Sequence, residues 1–192
     1  MVSRTADQPR KPQARVVRTQ QRVLSACGRL FVEQGFEHVS VEQILQHTGV
    51  ARSTFYRWFD NKEAVLAELT RPVFIDGEKL LRGLRHLQGR QLMREVLGVY
   101  VTLWESHSDG MVLSVRLGMQ YRHIIGAVHD RFVAALVPLV AKVQRDGVLR
   151  NGDARLSTVI IARTCITVLQ IYQQQRRRRE LFISSMEGML LN

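Results

Sequence analysis

The 192-residue sequence predicts an all-α protein. Apolar residues recur every three or four positions through most of the chain, which is the period of one helix face. No segment shows the strict alternation of a half-buried strand, and no Asn-Gly turn joins two β-branched runs. Breaks between the helical patterns in the second part of the chain are predicted at Pro72, 89–90, 108–110, 146–147 and 151–152.

Residues 1–14 predict a flexible basic arm. They carry Pro9, Pro12 and several charges but almost nothing apolar, so they have no helix face to bury. The arm is either a solvated tail or a segment that lies along phosphates or enters a minor groove beside a docked domain. The whole chain has 28 Lys and Arg against 17 Asp and Glu, and its net charge of +11 favours a polyanionic partner.

A first helix is predicted over residues 16–34 and ends at Gly35. Its apolar stripe consists of Val23, Leu24, Cys27, Leu30 and Phe31. Because Cys27 lies inside the stripe, we expect a core role rather than a nucleophilic one. Cys27 and Cys165 are too few and too far apart for a disulfide framework or a multi-cysteine metal site.

Short helices follow the first one. The motif SVEQ, residues 40–43, fits a capping box, so a second helix is predicted from Val41, and Gly49 stops it after about two turns. A third helix is predicted over 51–59, with two phenylalanines four positions apart on its buried side. A fourth begins at Asn61. Two short helices joined by a glycine-containing turn are typical of a helix-turn-helix, which inserts its second helix into DNA.

Residues 35–69, GFEHVSVEQILQHTGVARSTFYRWFDNKEAVLAEL, resemble the DNA-binding domain of the TetR family of bacterial transcriptional regulators. The resemblance rests on Gly49-Val50, Thr54-Phe55-Tyr56, Phe59 and Asn61-Lys62-Glu63, and on the end of the first helix, LFVEQGF. Two positions depart from the family pattern. Leu45 is bulkier than the usual alanine. Ala51 stands where Ser or Thr is frequent, and the missing N-cap is expected to cost about 1 kcal/mol.

The resemblance implies a role in DNA binding for a set of residues in the first part of the chain. Those implied to face base edges are Arg52, Ser53, Thr54 and Arg57. Those implied to contact phosphates are Tyr56, Lys62, the helix start at Ser40 and Val41, and Arg15, Arg18 and Thr19. Trp58 is either a backbone contact or a packing residue. The implied domains are a helix-turn-helix domain, 15–62, and a helical ligand-binding and dimerisation domain, 63–192.

The second domain carries two sets of candidate residues. The candidates for a small-molecule pocket are Phe74, Tyr100, Trp104, His107, Met111, Met119, Tyr121 and His123, and ordinary core packing is the alternative for each. Residues 154–175 are apolar on more than one face, and with 180–191 they match the helices by which the family dimerises. The interface candidates are Ile161, Cys165, Val168, Leu169, Tyr172, Phe182 and Met186.

The arginine run 176–179 is interpreted as a solvated helix end, favoured by the C-terminal dipole, with an acidic partner or DNA as alternatives. The six histidines form no metalloprotease pattern, and neither a nucleophile elbow nor a phosphate loop is present, so neither catalysis nor a cofactor nor a metal is expected. No apolar stretch of about 20 residues and no leader is found, which predicts a cytoplasmic protein.

The expected function is therefore that of a homodimeric transcriptional repressor. It would bind double-stranded DNA at a pseudo-palindromic operator, associate with the nucleoid while bound, and be released by an unknown small molecule. The alternative is a regulator or nucleoid-associated factor of the same fold that is not ligand-gated.

Overall fold

A computed structural model describes residues 11–192 of the chain, together with the side chains of residues 15–118 and 120–192. These residues form eight α-helices and no strand, apart from one isolated bridge between Leu149 and Leu191. The all-α prediction is confirmed. The chain divides into two compact units, one ending at Leu66 and the other spanning Ala67–Asn192.

Unit 1 is built from short helices after one long one. They are α1 Lys11–Gln34, a 3₁₀ turn Phe36–His38, α2 Val41–Thr48, α3 Arg52–Trp58, and the first turn of α4 Lys62–Gly83. Its core holds Cys27, Phe31, Phe36, Ile44 and Phe55, each at most 3% exposed. The core role predicted for Cys27 is confirmed, and burial raises the pKa of its thiol to about 12.

The boundary predicted for the arm at residue 14 is wrong. α1 begins at Lys11, so residues 11–14 belong to a helix. Pro12 is tolerated there because the N–H groups of a first turn have no intrahelical partner, and proline lacks that N–H. Residues 1–10 of the predicted arm lie outside the described residues.

Unit 2 is a bundle around α5 Gly89–Leu117. A 3₁₀ turn Gly118–Tyr121 leads into α6 Arg122–Arg145, which is followed by α7 Ala154–Tyr172 and α8 Arg178–Leu190. α5 contacts α6, α7 and α8, and α7 packs against both α6 and α8. The breaks predicted at 146–147 and 151–152 are confirmed, since they lie between α6 and α7.

The break predicted at Pro72 is wrong, because α4 runs through this residue. A proline inside a helix removes one hydrogen bond and costs about 3 kcal/mol. The helix carries a continuous buried face past it, with helical spacing: Thr70, Val73, Phe74, Gly77 and Leu81. Packing of this face outweighs the local cost of the proline.

The break predicted at 108–110 is a kink within α5. His107 departs from helical geometry, with φ −142° and ψ 33°, and the helix then continues. The ring Nε2 of His107 lies 2.8 Å from Asp76 Oδ2 on α4. A Cβ on Gly110 would lie 2.1 Å from the Leu69 carbonyl oxygen, so this glycine permits close approach of α4 and α5 instead of ending a helix.

Two helices, α6 and α7, are long and apolar enough to cross a membrane by length and composition alone. The prediction that the chain lacks an apolar span of sufficient length is therefore wrong. Both helices pack against α5 and against each other, burying residues such as Leu136, Val140, Ile161 and Leu169. Core helices of soluble bundles have the same composition, so these two helices are weak evidence for a membrane.

Candidate DNA interface and ligand cavity

The α2–turn–α3 segment has the geometry of a helix-turn-helix. Ser40 Oγ accepts a hydrogen bond from Gln43 N at 3.2 Å, and Gln43 Oε1 accepts one from Ser40 N at 2.8 Å, so the predicted capping box is confirmed. Gly49 ends α2 in the left-handed conformation, with φ 66° and ψ 13°, and donates from its N–H to Leu45 O at 2.9 Å. Glycine adopts this conformation without strain.

Helix α3 buries one side and exposes polar groups on the other. Phe55 and Phe59 are 0% and 2% exposed, and their ring centroids lie 5.5 Å apart. The exposed side of α3 presents Arg52, Ser53, Tyr56 and Arg57, while Thr54 and Trp58 are half-buried at its margins. This exposed side offers hydrogen-bond donors of the kind that read base edges and hold phosphates.

The start of α3 has no side-chain cap, as expected from Ala51. Arg52, the first residue of the helix, instead donates from Nη2 to Glu42 Oε1 on α2 at 2.9 Å. Backbone hydrogen bonding and the bond from Arg52 lower the pKa of Glu42, so its carboxylate stays charged. The ion pair joins the two helices of the motif at their exposed corner.

The phosphate role implied for Lys62 conflicts with its contacts. Its Nζ donates to the carbonyl oxygens of Phe36 at 3.0 Å, Glu37 at 3.2 Å and Val39 at 3.2 Å. It also lies 4.6 Å from the centroid of the Phe36 ring. An ammonium group has three donors, and all three are used. Lys62 therefore fastens the start of α4 to the 3₁₀ turn after α1.

A basic cleft lies beside the turn of the motif. It has a volume of about 920 Å³ and is lined by α1 and by residues 47–51. Arg18, Arg22 and Arg29 of α1 line it, all are exposed, and none forms an ion pair with a residue in the described part of the chain. Arg22 and Arg29 were not among the sequence candidates, although their spacing of four and eleven residues from Arg18 places all three on one side of the helix.

The other α1 candidates, Arg15 and Thr19, are exposed, and of the two only Thr19 lines this cleft. The Thr19 hydroxyl donates to Arg15 O at 3.0 Å, which satisfies it within the helix. Ser40 is exposed and Val41 half-buried at the start of α2.

Unit 2 contains an apolar cavity of about 130 Å³ between α4, α5, α6 and α7. Of the predicted pocket residues, Phe74, Tyr100 and Met111 line it, together with Phe132 and Ile166, which the sequence did not single out. The rings of Phe74 and Phe132 meet edge to face, with centroids 5.9 Å apart. A second, more open cavity of about 430 Å³ adjoins it and shares Ser114, Val115, His129 and Ala162.

Four further pocket candidates line neither cavity, contrary to the prediction. Trp104 and Tyr121 are buried elsewhere in unit 2, and His123 is exposed with its ring 5.9 Å from that of Tyr121. The kink in α5 turns His107 towards Asp76. The side chain of Met119, the remaining candidate, lies outside the described residues.

Most of the predicted dimer-interface residues are buried within the single chain. Ile161, Cys165, Leu169, Phe182 and Met186 are at most 1% exposed, since α7 and α8 pack against each other and against α5. Val168 and Tyr172 are half-buried, and the Tyr172 hydroxyl lies 3.0 Å from Ser185 Oγ. These positions are core contacts, and the interface assignment fails for the five fully buried ones.

The opposite side of α7 exposes several apolar side chains, with the polar residues Arg163 and Thr167 among them. Leu156, Val159 and Ile171 are 54%, 50% and 67% exposed. At about 100° per residue they lie within about 120° of one another on the helix, facing away from the buried side. On α8, Leu181 and Met189 are 38% and 44% exposed. These five residues are called the α7–α8 apolar face below.

The arginine run 176–179 lies at the beginning of α8, so the helix-end interpretation based on a C-terminal dipole is wrong. Positive charge is unfavourable at a helix N-terminus. Acidic neighbours offset it: Arg177 Nε lies 2.7 Å from Glu180 Oε2, and Arg178 Nη2 lies 3.5 Å from Glu105 Oε1.

A helix-turn-helix with an exposed, donor-rich second helix defines a DNA-binding protein of the transcriptional-regulator class. Residues 23–69 match the family described as bacterial regulatory proteins, tetR family. The chain belongs to this family. Among the residues that the structure describes, no group of three His, Cys, Asp or Glu side chains is placed to hold a metal ion.

Similar proteins agree with this assignment. The chain is 26% identical to the regulator Rv2250c of Mycobacterium tuberculosis over 73% of its own length and 75% of that protein. It is 38% identical to the regulator TcmR of Streptomyces glaucescens over 83% of its length and 66% of that protein. Both are described as helix-turn-helix-type transcriptional regulators.

Solved structures show the same fold. The ketosteroid transcriptional regulator KstR2 of Mycobacterium tuberculosis superposes with a TM-score of 0.76 at 16% identity, covering 91% of this chain and 95% of that one. The TetR-family regulator PfmR of Thermus thermophilus gives a TM-score of 0.70 at 19% identity, covering 88% and 97%.

Proposed function

We propose that this regulator is a cytoplasmic, homodimeric repressor that binds a pseudo-palindromic operator and is released by a small molecule. The observation that carries the proposal is the exposed face of α3, where Arg52, Ser53, Tyr56 and Arg57 project from a helix anchored by two buried phenylalanines. Such a helix fits the major groove, where arginine pairs with guanine.

The basic cleft supports the positioning of this helix. Arg18, Arg22 and Arg29 supply cations beside the motif, and none of them is ion-paired with a residue that the structure describes. We assign them to the phosphates that flank the base contacts, in place of Lys62. Phosphate contacts fix register and contribute most of the salt dependence of binding.

The α7–α8 apolar face supports a homodimer. A single recognition helix reads few base pairs, whereas a two-fold dimer reads two half-sites. Large exposed apolar patches mark interaction surfaces, and we infer that these side chains form one. We assign the interface to Leu156, Val159, Ile171, Leu181 and Met189, rather than to the buried positions expected from the sequence.

The apolar cavity in unit 2 favours a ligand-gated regulator over an ungated factor. Proteins of this fold include a ketosteroid transcriptional regulator and a fatty acid degradation regulator. For this chain we propose only that a small molecule controls DNA binding. By filling the cavity, it shifts the equilibrium between the DNA-binding state and the released state.

The test is selection from random duplex DNA at about 150 mM salt, where non-specific binding is weak. We expect a two-fold symmetric site. Arg57→Ala is expected to lose about 1–3 kcal/mol of the free energy of operator binding and to relax the base preference at one position in each half-site. If no motif is recovered and binding only fades as salt rises, the chain is a non-specific DNA binder and the repressor proposal is wrong.

The dimer is tested by sedimentation of Ile171→Glu, which is expected to yield monomers with weakened operator binding. Ile75→Glu is the matched control, because Ile75 is 48% exposed but lies on α4. A dimer that survives Ile171→Glu unchanged places the interface elsewhere.

A further inference from the structure

The two adjoining cavities of unit 2 differ in character along their length. The inner one is lined by buried apolar side chains such as Val73, Leu103 and Leu136. The outer one is lined in part by the exposed side chains of Arg122 and Arg163. An elongated ligand that occupies both therefore has an apolar end in the interior and a polar end at the surface.

The inner cavity sets the size of the apolar end. Its volume of about 130 Å³ is close to that of an engineered apolar cavity of about 150 Å³ that holds benzene. One six-membered ring, or an alkyl segment of similar volume, fills it. The ring edges of Phe74 and Phe132 and the Met111 side chain offer the contacts that such a group makes.

Tyr100 places one polar group in this apolar wall. The residue is 5% exposed, and its hydroxyl has no hydrogen-bond partner among the described residues. Every fully buried side-chain oxygen among the described residues has a partner, so this hydroxyl is not fully buried. Because Tyr100 lines the cavity, we infer that its hydroxyl faces it. Burial raises the pKa of Tyr100 well above its usual range, so the hydroxyl keeps its proton and can donate it.

The outer cavity sets the charge of the other end. Arg122 is held by Asp130, with Nη2 to carboxylate distances of 2.8 and 2.9 Å, and His129 Nδ1 lies 3.4 Å from the same carboxylate. Arg163 lines the same cavity from α7 and has no acidic partner among the described residues. A carboxylate at this mouth would give Arg163 a partner.

We propose that unit 2 binds an elongated organic acid whose apolar end fills the inner cavity, with a hydrogen-bond acceptor at Tyr100 and a carboxylate at Arg163. The proposal rests on the proposed function, since it names the ligand class of that repressor. It excludes hydrophobic cations, because they would meet Arg163 and Arg122 at the mouth.

Three matched probes test it by calorimetric titration of the full chain: phenylhexanoate, its neutral amide and the corresponding amine. We expect the acid to bind at least about tenfold more tightly than the amide and the amine not to bind. Arg163→Gln is expected to abolish the difference in affinity between the acid and the amide. Arg155→Gln, exposed on the same helix but outside both cavities, is expected to leave it unchanged. A tenfold change corresponds to about 1.4 kcal/mol.

The role of Tyr100 is tested with benzoylpentanoate, the same acid with a ketone beside the ring. We expect Tyr100→Phe to weaken binding of the keto acid by about three- to tenfold, which is the range for the loss of one hydrogen bond. Binding of phenylhexanoate is expected to be unaffected. Equal binding of acid, amide and amine, or no binding by any probe to a chain that still selects its operator, overturns the ligand assignment and leaves the DNA-binding function standing. Binding of the acid without release of DNA supports the ligand class and refutes ligand gating.

Discussion

Replacing Lys62 with methionine removes the ammonium but keeps a stem of similar length, so it tests what this group does. Three carbonyl oxygens lose a charged donor at 3.0–3.2 Å, and the contact with the Phe36 ring is lost. A hydrogen bond to a charged group contributes about 1.5–3 kcal/mol. Water replaces part of this, most readily at Glu37, where the bond is exposed. We therefore expect a loss of about 2 kcal/mol in the free energy of unfolding.

The assay pairs urea unfolding, followed by circular dichroism, with the salt dependence of operator binding. If Lys62 stabilises the fold by bonding the start of α4 to the 3₁₀ turn, Lys62→Met lowers the free energy of unfolding. The slope of log K for operator binding against log salt then stays at the wild-type value. If Lys62 binds a phosphate, the magnitude of this slope falls by about 0.9 for each DNA-binding domain of the dimer. Lys79→Met is the control for stability, since Lys79 is exposed on α4. Arg18→Met is the control for the slope. Unchanged stability with a reduced slope would refute our assignment of Lys62.

Two further substitutions test the helix geometry. Gly110→Ala is expected to cost about 1–3 kcal/mol of stability, because its Cβ would lie 2.1 Å from the Leu69 carbonyl oxygen, whereas Gly83→Ala, with no atom within 4 Å, is expected to be neutral or stabilising in thermal melts. Equal melting temperatures for the two variants would contradict the close approach of α4 and α5. Ala51→Ser is expected to raise stability by about 1 kcal/mol by supplying the missing N-cap, and a Tm unchanged from wild type would show that the cap site is already satisfied.

The local rules predicted the helix-turn-helix well because the motif is specified by residues close in sequence. The capping box at Ser40, the left-handed glycine at position 49 and the buried pair Phe55 and Phe59 each follow from short-range chemistry. The failures at Pro72 and 108–110 have a different origin. There the structure depends on packing between α4 and α5, which are distant in sequence, and tertiary contacts override the local preference for a break.

α7 carries apolar residues on both sides, and the α7 residues expected at the interface lie mainly on the side that is buried within the chain. Hydrophobicity alone does not distinguish the side that packs inside the chain from the side that faces solvent. The fold decides this through α8, whose Phe182 and Met186 join Ile161 and Cys165 in the core. Once that side is buried, the remaining apolar side is the one available to a second subunit. On the proposed homodimer, the interface therefore lies on the opposite side of α7 from the residues expected from the sequence.

The distribution of arginines along the sequence does not indicate the surface that we assign to phosphates, because a count of arginines ignores the carboxylates beside them. Arg177 and Arg178 belong to the most basic run of the chain, yet each pairs with a glutamate at the start of α8. Arg18, Arg22 and Arg29 are spread along α1 and look unremarkable in sequence, but none has an ion-pair partner among the described residues. An arginine without a nearby carboxylate leaves its charge available to a phosphate, whereas a paired one first has to lose a partner. On this reasoning the cleft beside α3, rather than the arginine run, is the surface whose neutralisation should control the salt dependence of operator binding.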